Sequence, residues 1–352
     1  MAAVSGYLPD MADVSTWQRR MAPVLAPLGF LYGLVMRARR QAYERGRKPS
    51  YAPTAPCISV GNIAWGGTGK TPVVDRLLYW AESRNLKSCV LTRGYKAVPP
   101  APHYLARPDS DPAACGDEPL LLASRHPGVH VIVDPKRARA AEWAGRSISP
   151  DMFLLDDGFQ HLAVKRRLDL VLLRPEDLAE EWNRVIPAGS WREPVSALTR
   201  ADAFLVKAGP RDFAALASLA ERRLSRFGRP VFAFHLEPAG LKEVVSGRRI
   251  DVAGAEPYIL LTATADPAAV RRTATAYLGI EPNQHIAHTD HHQYSKRDLL
   301  DARDAMNYTG AARIVCTAKD AVKLARFAPE NLFSLEVEVR FGDGLFVESG
   351  FE

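Results

Sequence analysis

The sequence predicts an α/β protein: a largely parallel sheet with helices on both faces, a smaller α/β unit after it, and an amphipathic helix before it. Three observations predict this. Short continuous apolar runs alternate with helical stretches, the pattern of strands buried on both faces. A glycine-rich run ending in Gly69-Lys70-Thr71 joins the first such strand to a helix. The 352 residues are 47% apolar, enough for two cores of ordinary size. The charged fraction of 24% is that of an ordered chain.

The first 50 residues stand apart. They hold Arg19, Arg20, Arg37, Arg39, Arg40, Arg45, Arg47 and Lys48 against Asp10, Asp13 and Glu44, a local excess of +5 in a chain whose net charge is +6. A nucleic-acid binder would spread its basic residues more widely, so no nucleic-acid partner is expected. Between the arginine clusters, Met21 to Met36 is a run of sixteen uncharged residues containing Pro23, Pro27, Gly29 and Gly33. A membrane-spanning helix needs about 20 apolar residues. A signal peptide would end in a small-residue cleavage site, and here an arginine cluster follows instead. The run reads as an interfacial helix, with Leu25, Leu28, Leu31 and Val35 entering the lipid boundary and the arginines meeting anionic headgroups. The competing reading is a helix packed on the main domain.

Strands are expected at Cys57–Gly61, Ser88–Thr92, Val129–Val133, Met152–Leu155, Leu168–Leu173 and Ala203–Val206, with helices at Thr71–Arg84, Glu118–His126 and Pro135–Gly145. A second set has strands at Tyr258–Thr262, Gln284–Ala287 and Arg313–Thr317, and helices near Pro267–Tyr277, Lys296–Met306 and Asp320–Phe327. Glu237-Pro238-Ala239-Gly240 reads as a turn and marks the division. The expected organisation is an N-terminal segment over 1–50, a core over 51–240 and a smaller unit over 241–352. The four cysteines (Cys57, Cys89, Cys115, Cys316) lie far apart without a CxxC pair, and read as small buried hydrophobes in a reducing compartment.

Gly61-Asn62-Ile63-Ala64-Trp65-Gly66-Gly67-Thr68-Gly69-Lys70-Thr71 has the strand–loop–helix context of a P-loop NTPase. Its glycines let backbone N–H groups turn toward phosphate oxygens, and the helix N-terminus adds partial positive charge. Lys70 is expected on the β- and γ-phosphates of ATP and Thr71 on Mg²⁺. Ala64 replaces the first glycine of the strict motif. Trp65 stands where the partitioning ATPases carry a signature lysine, which argues against a membrane-recruited ATPase switch.

Asp156-Asp157-Gly158 follows the strand at Met152–Leu155, the position of a magnesium-binding carboxylate. Adjacent aspartates in a strand point to opposite sides, so both serve one site only if the chain turns, and Gly158 permits a turn. Gly116-Asp117-Glu118-Pro119 opens a helix. Asp117 reads either as its N-cap or as the base that takes an acceptor hydroxyl proton, with Glu118 on the metal. Asp290-His291-His292 lacks the partners of a zinc site. It reads either as a base tuned by an aspartate or as surface histidines. Arg93, Arg137 and Arg192 lie near strand ends or turns, where phosphate contacts gather.

Together these motifs resemble the tetraacyldisaccharide 4'-kinase family of lipid A biosynthesis, from about Trp17 to about Phe341. The specific pieces are Val60-Gly61-Asn62 with Gly66–Pro72, Arg93-Gly94-Tyr95, Gly116–Pro119, Asp156–His161, Arg192-Glu193-Pro194, Asp290-His291-His292 and Lys319–Leu324. The resemblance implies transfer of the ATP γ-phosphate to the 4'-hydroxyl of a tetraacyldisaccharide 1-phosphate, with Mg²⁺, at the cytoplasmic face of the bacterial inner membrane. It implies that Asp117 and His291 form the base pair and that Glu118, Asp156 and Asp157 organise metal and phosphate. Arg93, Tyr95, Arg137, Gln160, His161 and Arg192 become substrate or phosphate contacts. The chain departs from the family pattern at Leu261–Pro267, at Ala318 in place of Glu, and at Gly189-Ser190-Trp191 before Arg192. No segment signals an obligate protein partner. A soluble small-molecule kinase is the remaining alternative, and the basic, apolar N-terminus argues against it.

Overall fold

Strands apolar on both faces need a helix layer above and below. In the computed structural model, which describes residues 11–250, 256–327 and 330–345, the chain supplies both. In chain order the elements are α1 (Met11–Glu44), β1 (Cys57–Asn62), α2 (Lys70–Glu82), β2 (Ser88–Thr92), β3 (Tyr104–Ala106), α3 (Pro112–Cys115), α4 (Asp117–Arg125), β4 (His130–Val133), α5 (Arg137–Ser147), β5 (Met152–Asp156), β6 (Leu168–Leu173) and α6 (Pro175–Leu178). Then follow β7 (Ala203–Lys207), α7 (Pro210–Leu224), β8 (Val231–Glu243), β9 (Arg249–Ile250), β10 (Tyr258–Thr262), α8 (Pro267–Leu278), β11 (Gln284–Ala287), α9 (Lys296–Thr309), β12 (Arg313–Thr317), α10 (Ala318–Leu324) and β13 (Leu332–Leu345). The ends of the expected segments 1–50 and 241–352 lie outside the described residues.

The strands form one sheet in the order β11-β10-β12-β13-β8-β7-β6-β1-β5-β2-β4-β3, with β9 on β8. Neighbours from β4 to β8 are parallel, as are β13, β12, β10 and β11. β3 pairs antiparallel with β4, and β13 and β9 antiparallel with β8. From β1 the chain passes beyond β5 to β2, whereas from β5 it crosses β1 to β6. That reversal opens a crevice at the carboxyl end of β1, where ligands bind in open α/β sheets.

The apolar runs became strands within a residue or two of their expected bounds. The expected turn at Glu237–Gly240 did not form. These residues continue β8, and the register against β13 slips there: Glu336 faces Gly240 while Val337 faces Pro238. The extra residue is a bulge, and Gly240 supplies its φ of 119°. β8 thus extends from the first half of the sheet into the second. Separate apolar clusters form on each side, one around Val60, Leu78, Leu154 and Phe234, another around Ile259, Leu261, Ile314 and Leu324. Val322 and Val339 from the C-terminal half pack against the first cluster.

Helix α1 is neither simply buried nor free. Gly29 and Gly33 lie against the body, and a Cβ on Gly29 would stand 2.8 Å from the Val185 carbonyl oxygen. Arg39 donates to the Gln160 carbonyl at 3.1 Å, Arg40 to that of Ser196, and Arg19 pairs with Glu180. The opposite face exposes Val24, Leu28, Phe30, Leu31, Leu34 and Val35. By length and composition Gln18–Glu44 could cross a membrane, which the shorter charge-free run did not suggest. Three of the arginines expected on headgroups are engaged with protein, while Arg20, Arg37, Arg45 and Arg47 remain exposed.

A buried ionic cluster joins the two halves behind the P-loop helix. Arg125 of α4 donates to Asp75 of α2 at 2.9 Å and to Glu336 of β13. The fully buried His126 sits 3.1 Å from Asp75 and 3.0 Å from Glu82. Burial pushes its pKa down, but the two carboxylates outweigh this and hold it above the usual histidine range. A histidine raised on folding adds stability below its unfolded value, about 6.5, and loses it as pH rises through the folded value. The Tm gap between wild type and His126→Gln is therefore expected to be larger at about pH 5.5 than at about pH 9. Melting curves at both pH values test this, and a constant gap would contradict it.

Candidate active site

The loop between β1 and α2 is shaped by its glycines. Gly66 and Gly69 adopt φ of 99° and 91°, and a Cβ on Gly67 would meet nothing within 4 Å. Gly69 is the N-cap of α2, so the first amides of that helix face the crevice. Lys70 Nζ lies 3.1 Å from Asn62 Oδ1 and 3.6 Å from Asp157 Oδ1. Asn62, expected among the phosphate contacts, holds the lysine and takes hydrogen bonds from Arg192. Gly61 lies inside β1, where a Cβ would stand 2.6 Å from the Phe159 backbone nitrogen. Its missing side chain lets the Asp157–Gln160 loop close on β1. Thr68 is buried, and Thr71 lies in the first turn of α2.

The carboxylates face this cradle. Asp156 is buried at the end of β5, with Oδ2 accepting from the Thr92 hydroxyl at 3.2 Å and Oδ1 without a partner among the described residues. Burial and the nearby charges of Glu118 and Asp157 push it up to about 7. Asp157 is pushed up by burial, but the cations Lys70 and Arg192 outweigh that and hold it well below the usual carboxylate range. The turn that brings both aspartates to one site is made by Asp157 itself, at φ 51°. Gly158, expected to permit it, is glycine because a Cβ would meet Ser59 Oγ at 2.5 Å. Left-handed backbone at a non-glycine carries strain and clusters at functional sites.

Asp117 is not an N-cap. Gly116 caps α4 at φ 90°, and Asp117 is the first helical residue. Its 3%-exposed carboxylate reaches across to the C-terminal half, where Oδ2 lies 3.1 Å from His291 Nδ1 and 3.2 Å from Lys323 Nζ. Burial raises its pKa, but the His291 hydrogen bond and the Lys323 and Lys319 charges prevail and hold it below the ordinary range. His291 also has left-handed backbone, at φ 64°, and is no simple surface histidine. Lys319 Nζ joins Glu118 at 3.5 Å, Asp290 at 3.6 Å and His291 Nε2 at 3.5 Å.

The remaining expected contacts gather around this centre. Arg192 donates both arms to Asp157, at 3.0 Å each. Arg137 is buried and donates to the carbonyl oxygens of Asp156 and Asp157 at 2.9 Å. Gln160 donates to the Asn62 carbonyl at 3.0 Å. The exposed Tyr95 ring tilts against His291, centroids 5.2 Å apart. His161 is held down to about 3 by burial and by the charges of Arg137, Arg166, Arg39 and Arg93. Arg93 is exposed and close enough to act on both His161 and Arg137. Sequence reasoning gave no site role to Lys319 and Lys323, although their stretch carried part of the resemblance, nor to Arg39 or to Arg174, whose Nη1 would stand 3.5 Å from a Cβ on Gly66. The two lysines carried a signal: spaced four apart at the start of a helix, they share one face.

The site fits a hard divalent cation. Thr71, Glu118, Asp156 and Asp157 offer oxygen donors of the kind Mg²⁺ prefers, and the partnerless Oδ1 and raised pKa of Asp156 mark negative charge short of a counter-ion.

Comparison with known proteins agrees with the geometry. The family model for tetraacyldisaccharide-1-P 4'-kinase matches residues 21–349. The chain is 46% identical over 338 residues to the tetraacyldisaccharide 4'-kinase of Nitratidesulfovibrio vulgaris, covering 96% of this chain and 94% of that protein. It is 47% identical over 325 residues to the enzyme of the same name from Oleidesulfovibrio alaskensis, covering 92% and 89%. Among solved structures, the Aquifex aeolicus LpxK in complex with ATP superposes with a TM-score of 0.71 at 27% identity, covering 92% of this chain and 95% of that one. The chain therefore belongs to the tetraacyldisaccharide-1-P 4'-kinase family.

Proposed function

We propose that this protein transfers the γ-phosphate of ATP to the 4'-hydroxyl of a tetraacyldisaccharide 1-phosphate, a lipid A precursor, giving lipid IVA. The observation that supports it best is the Asp117–His291 pair, contributed by the two halves of the chain and linked to the Lys70–Asp157 cradle through the neighbouring Glu118, whose charge acts on Asp156. The backbone amides from Gly66 to Thr71 and Lys70 hold the β- and γ-phosphates. Thr71, Glu118 and Asp156 hold Mg²⁺, while Asp157 orients Lys70 and Arg192. Bound there, Mg²⁺ supplies positive charge to the phosphate oxygens. The acceptor oxygen bonds to the γ-phosphorus as the bond to the β–γ bridging oxygen breaks. The hydroxyl proton passes to the Asp117–His291 pair, and ADP leaves. Arg93, Tyr95, Arg137, Gln160, His161 and Arg192 line the acceptor side. The organisation that goes with this reading is an anchoring segment over 1–50, a kinase core over 51–240 and a lobe over 241–352 that closes the site.

The test is the product itself. With tetraacyldisaccharide 1-phosphate and Mg·ATP, mass spectrometry is expected to place one new phosphate on the 4' position, with ADP release that depends on the acceptor. Acceptor-independent hydrolysis stimulated by a protein would favour an ATPase switch instead.

The outward apolar face of α1 supports attachment to a membrane, and the reading that goes with an ATP-using lipid A enzyme is the cytoplasmic face of the bacterial inner membrane. Each of Leu28, Leu31 and Val35 gains about 1.5–3 kcal/mol on burial in an apolar phase, and nearby exposed arginines add attraction to anionic lipid. Replacing these three residues by serine is expected to reduce co-sedimentation with anionic vesicles several-fold. It should raise KM for the lipid acceptor and leave KM for ATP unchanged. Full sedimentation at low and high salt would remove this face as the anchor.

A further inference from the structure

Beside the proposed base lies a second cluster that phosphoryl transfer does not use. The loop from β11 to α9 carries His288 and His292, four residues apart, and Asp298 lies in the first turn of α9. The ligand-type atoms of these three side chains all lie within 4.8 Å of one another. Asp298 Oδ1 is 3.3 Å from His292 Nε2 and 3.8 Å from His288 Nε2. Both Nε2 atoms are buried, and among the described residues neither makes a well-formed hydrogen bond, the Asp298 Oδ1 oxygen being the carboxylate near both. Asp298 is itself oriented: Oδ2 accepts from the Ser295 amide and hydroxyl, at 2.7 Å each, which leaves Oδ1 to the histidines. Tyr294 packs its edge against both rings, and Lys323 holds the His292 carbonyl at 3.1 Å.

Two buried imidazole nitrogens and one carboxylate oxygen, fixed by a hydroxyl and an amide behind it, have the composition of a three-ligand zinc site whose carboxylate is already oriented by hydrogen bonds. Zn–ligand bonds of about 2.0–2.1 Å place tetrahedral ligands roughly 3.3 Å apart. The observed separations from Asp298 are at that value and slightly beyond it. The rings now stack 4.2 Å apart and parallel within 6°, so loading requires them to rotate until both lone pairs converge. Imidazole donors distinguish this cluster from the all-oxygen set around Asp156, which suits Mg²⁺.

We propose that His288, His292 and Asp298 bind one Zn²⁺, with water in the fourth position, clamping the loop that carries His291 to the start of α9. The binding stands apart from the kinase reading, and only the value of the clamp for holding His291 rests on it.

The test uses the full chain, freed of metal and dialysed against micromolar Zn²⁺ with millimolar Mg²⁺ present to fill the carboxylate set. Bound zinc is read by elemental analysis, and amide hydrogen exchange is followed over residues 288–295. Wild type is expected to retain one zinc per chain and to slow exchange in that loop. His288→Ala/His292→Ala should retain none. Asp298→Asn, which keeps an oxygen for the Ser295 hydrogen bonds, should weaken zinc about 10-fold or more while retaining the wild-type circular dichroism. Absence of zinc from the wild type, equal zinc in Asp298→Asn and wild type, or zinc uptake without loop protection would each overturn the proposal. None of these readouts involves turnover, so failure of the kinase reading would leave them unchanged.

Discussion

Lys70→Ala is expected to lower kcat by about 10²–10³-fold, the scale of removing one preorganised charge from a developing transition state. The loss should fall on turnover rather than on folding. Lys70 stands at the mouth of the glycine loop, its side chain 19% exposed, with Asn62 and Asp157 as neighbours. Removing it leaves Asp157 paired to both arms of Arg192 and leaves the Asn62 side chain its hydrogen bond from the same arginine. Steady-state kinetics with saturating ATP and acceptor, beside a melting curve, check this. More than about a tenth of wild-type kcat, with an unchanged melt, would remove Lys70 from the phosphate site.

Asp117→Asn is expected to lower kcat by about 10²–10⁴-fold, the contribution typical of a positioned acid or base. It should change KM for ATP little, because Asp117 belongs to α4 and not to the phosphate loop. Asparagine preserves the shape and can still accept from His291, so a purely structural role predicts near-normal turnover. The variant does leave the buried Lys323 with Asp320 as its remaining carboxylate, at 3.4 Å. Some loss of stability therefore accompanies it, and rates are compared well below the lower of the two melting points. His291→Ala should cost less and change the shape of the pH–rate profile. Unaltered kcat in Asp117→Asn, or an equal and pH-independent loss in both variants, would contradict a shared proton-accepting role.

The sequence by itself determined the elements whose chemistry is local. Strands β1, β2, β5, β6, β10 and β12 are legible because parallel strands covered on both faces are unbroken apolar runs. The glycine loop is legible because its residue types answer to backbone conformation and to phosphate, and both operate within about ten residues. β8 and β13 are different. They pair antiparallel and carry polar residues, Pro238 and several glycines, and their long pairing is held by partners about a hundred positions away. Glu237–Gly240 resembles a turn because what makes it part of a strand, the pairing with β13, lies elsewhere in the chain.

The same division runs through the site. Asp156, Asp157 and Lys70 were legible as motifs, but the left-handed turn at Asp157 and the pairing of Lys70 with Asp157 depend on β1 and β5 lying side by side. Asp117 reads locally as a helix cap. It becomes a member of a buried ion-pair network only because β8 and β13 carry the C-terminal half back to it, bringing His291 from 174 residues away and Lys323 beside it. His288, His292 and Asp298 likewise gave no metal signal in a line of letters, because the carboxylate reaches them through the first turn of α9. Local propensity and hydrophobic period act over a few residues and can be read from one chain. Electrostatic pairing in a low-dielectric interior depends on separations of 3–4 Å, and chain topology alone sets those separations.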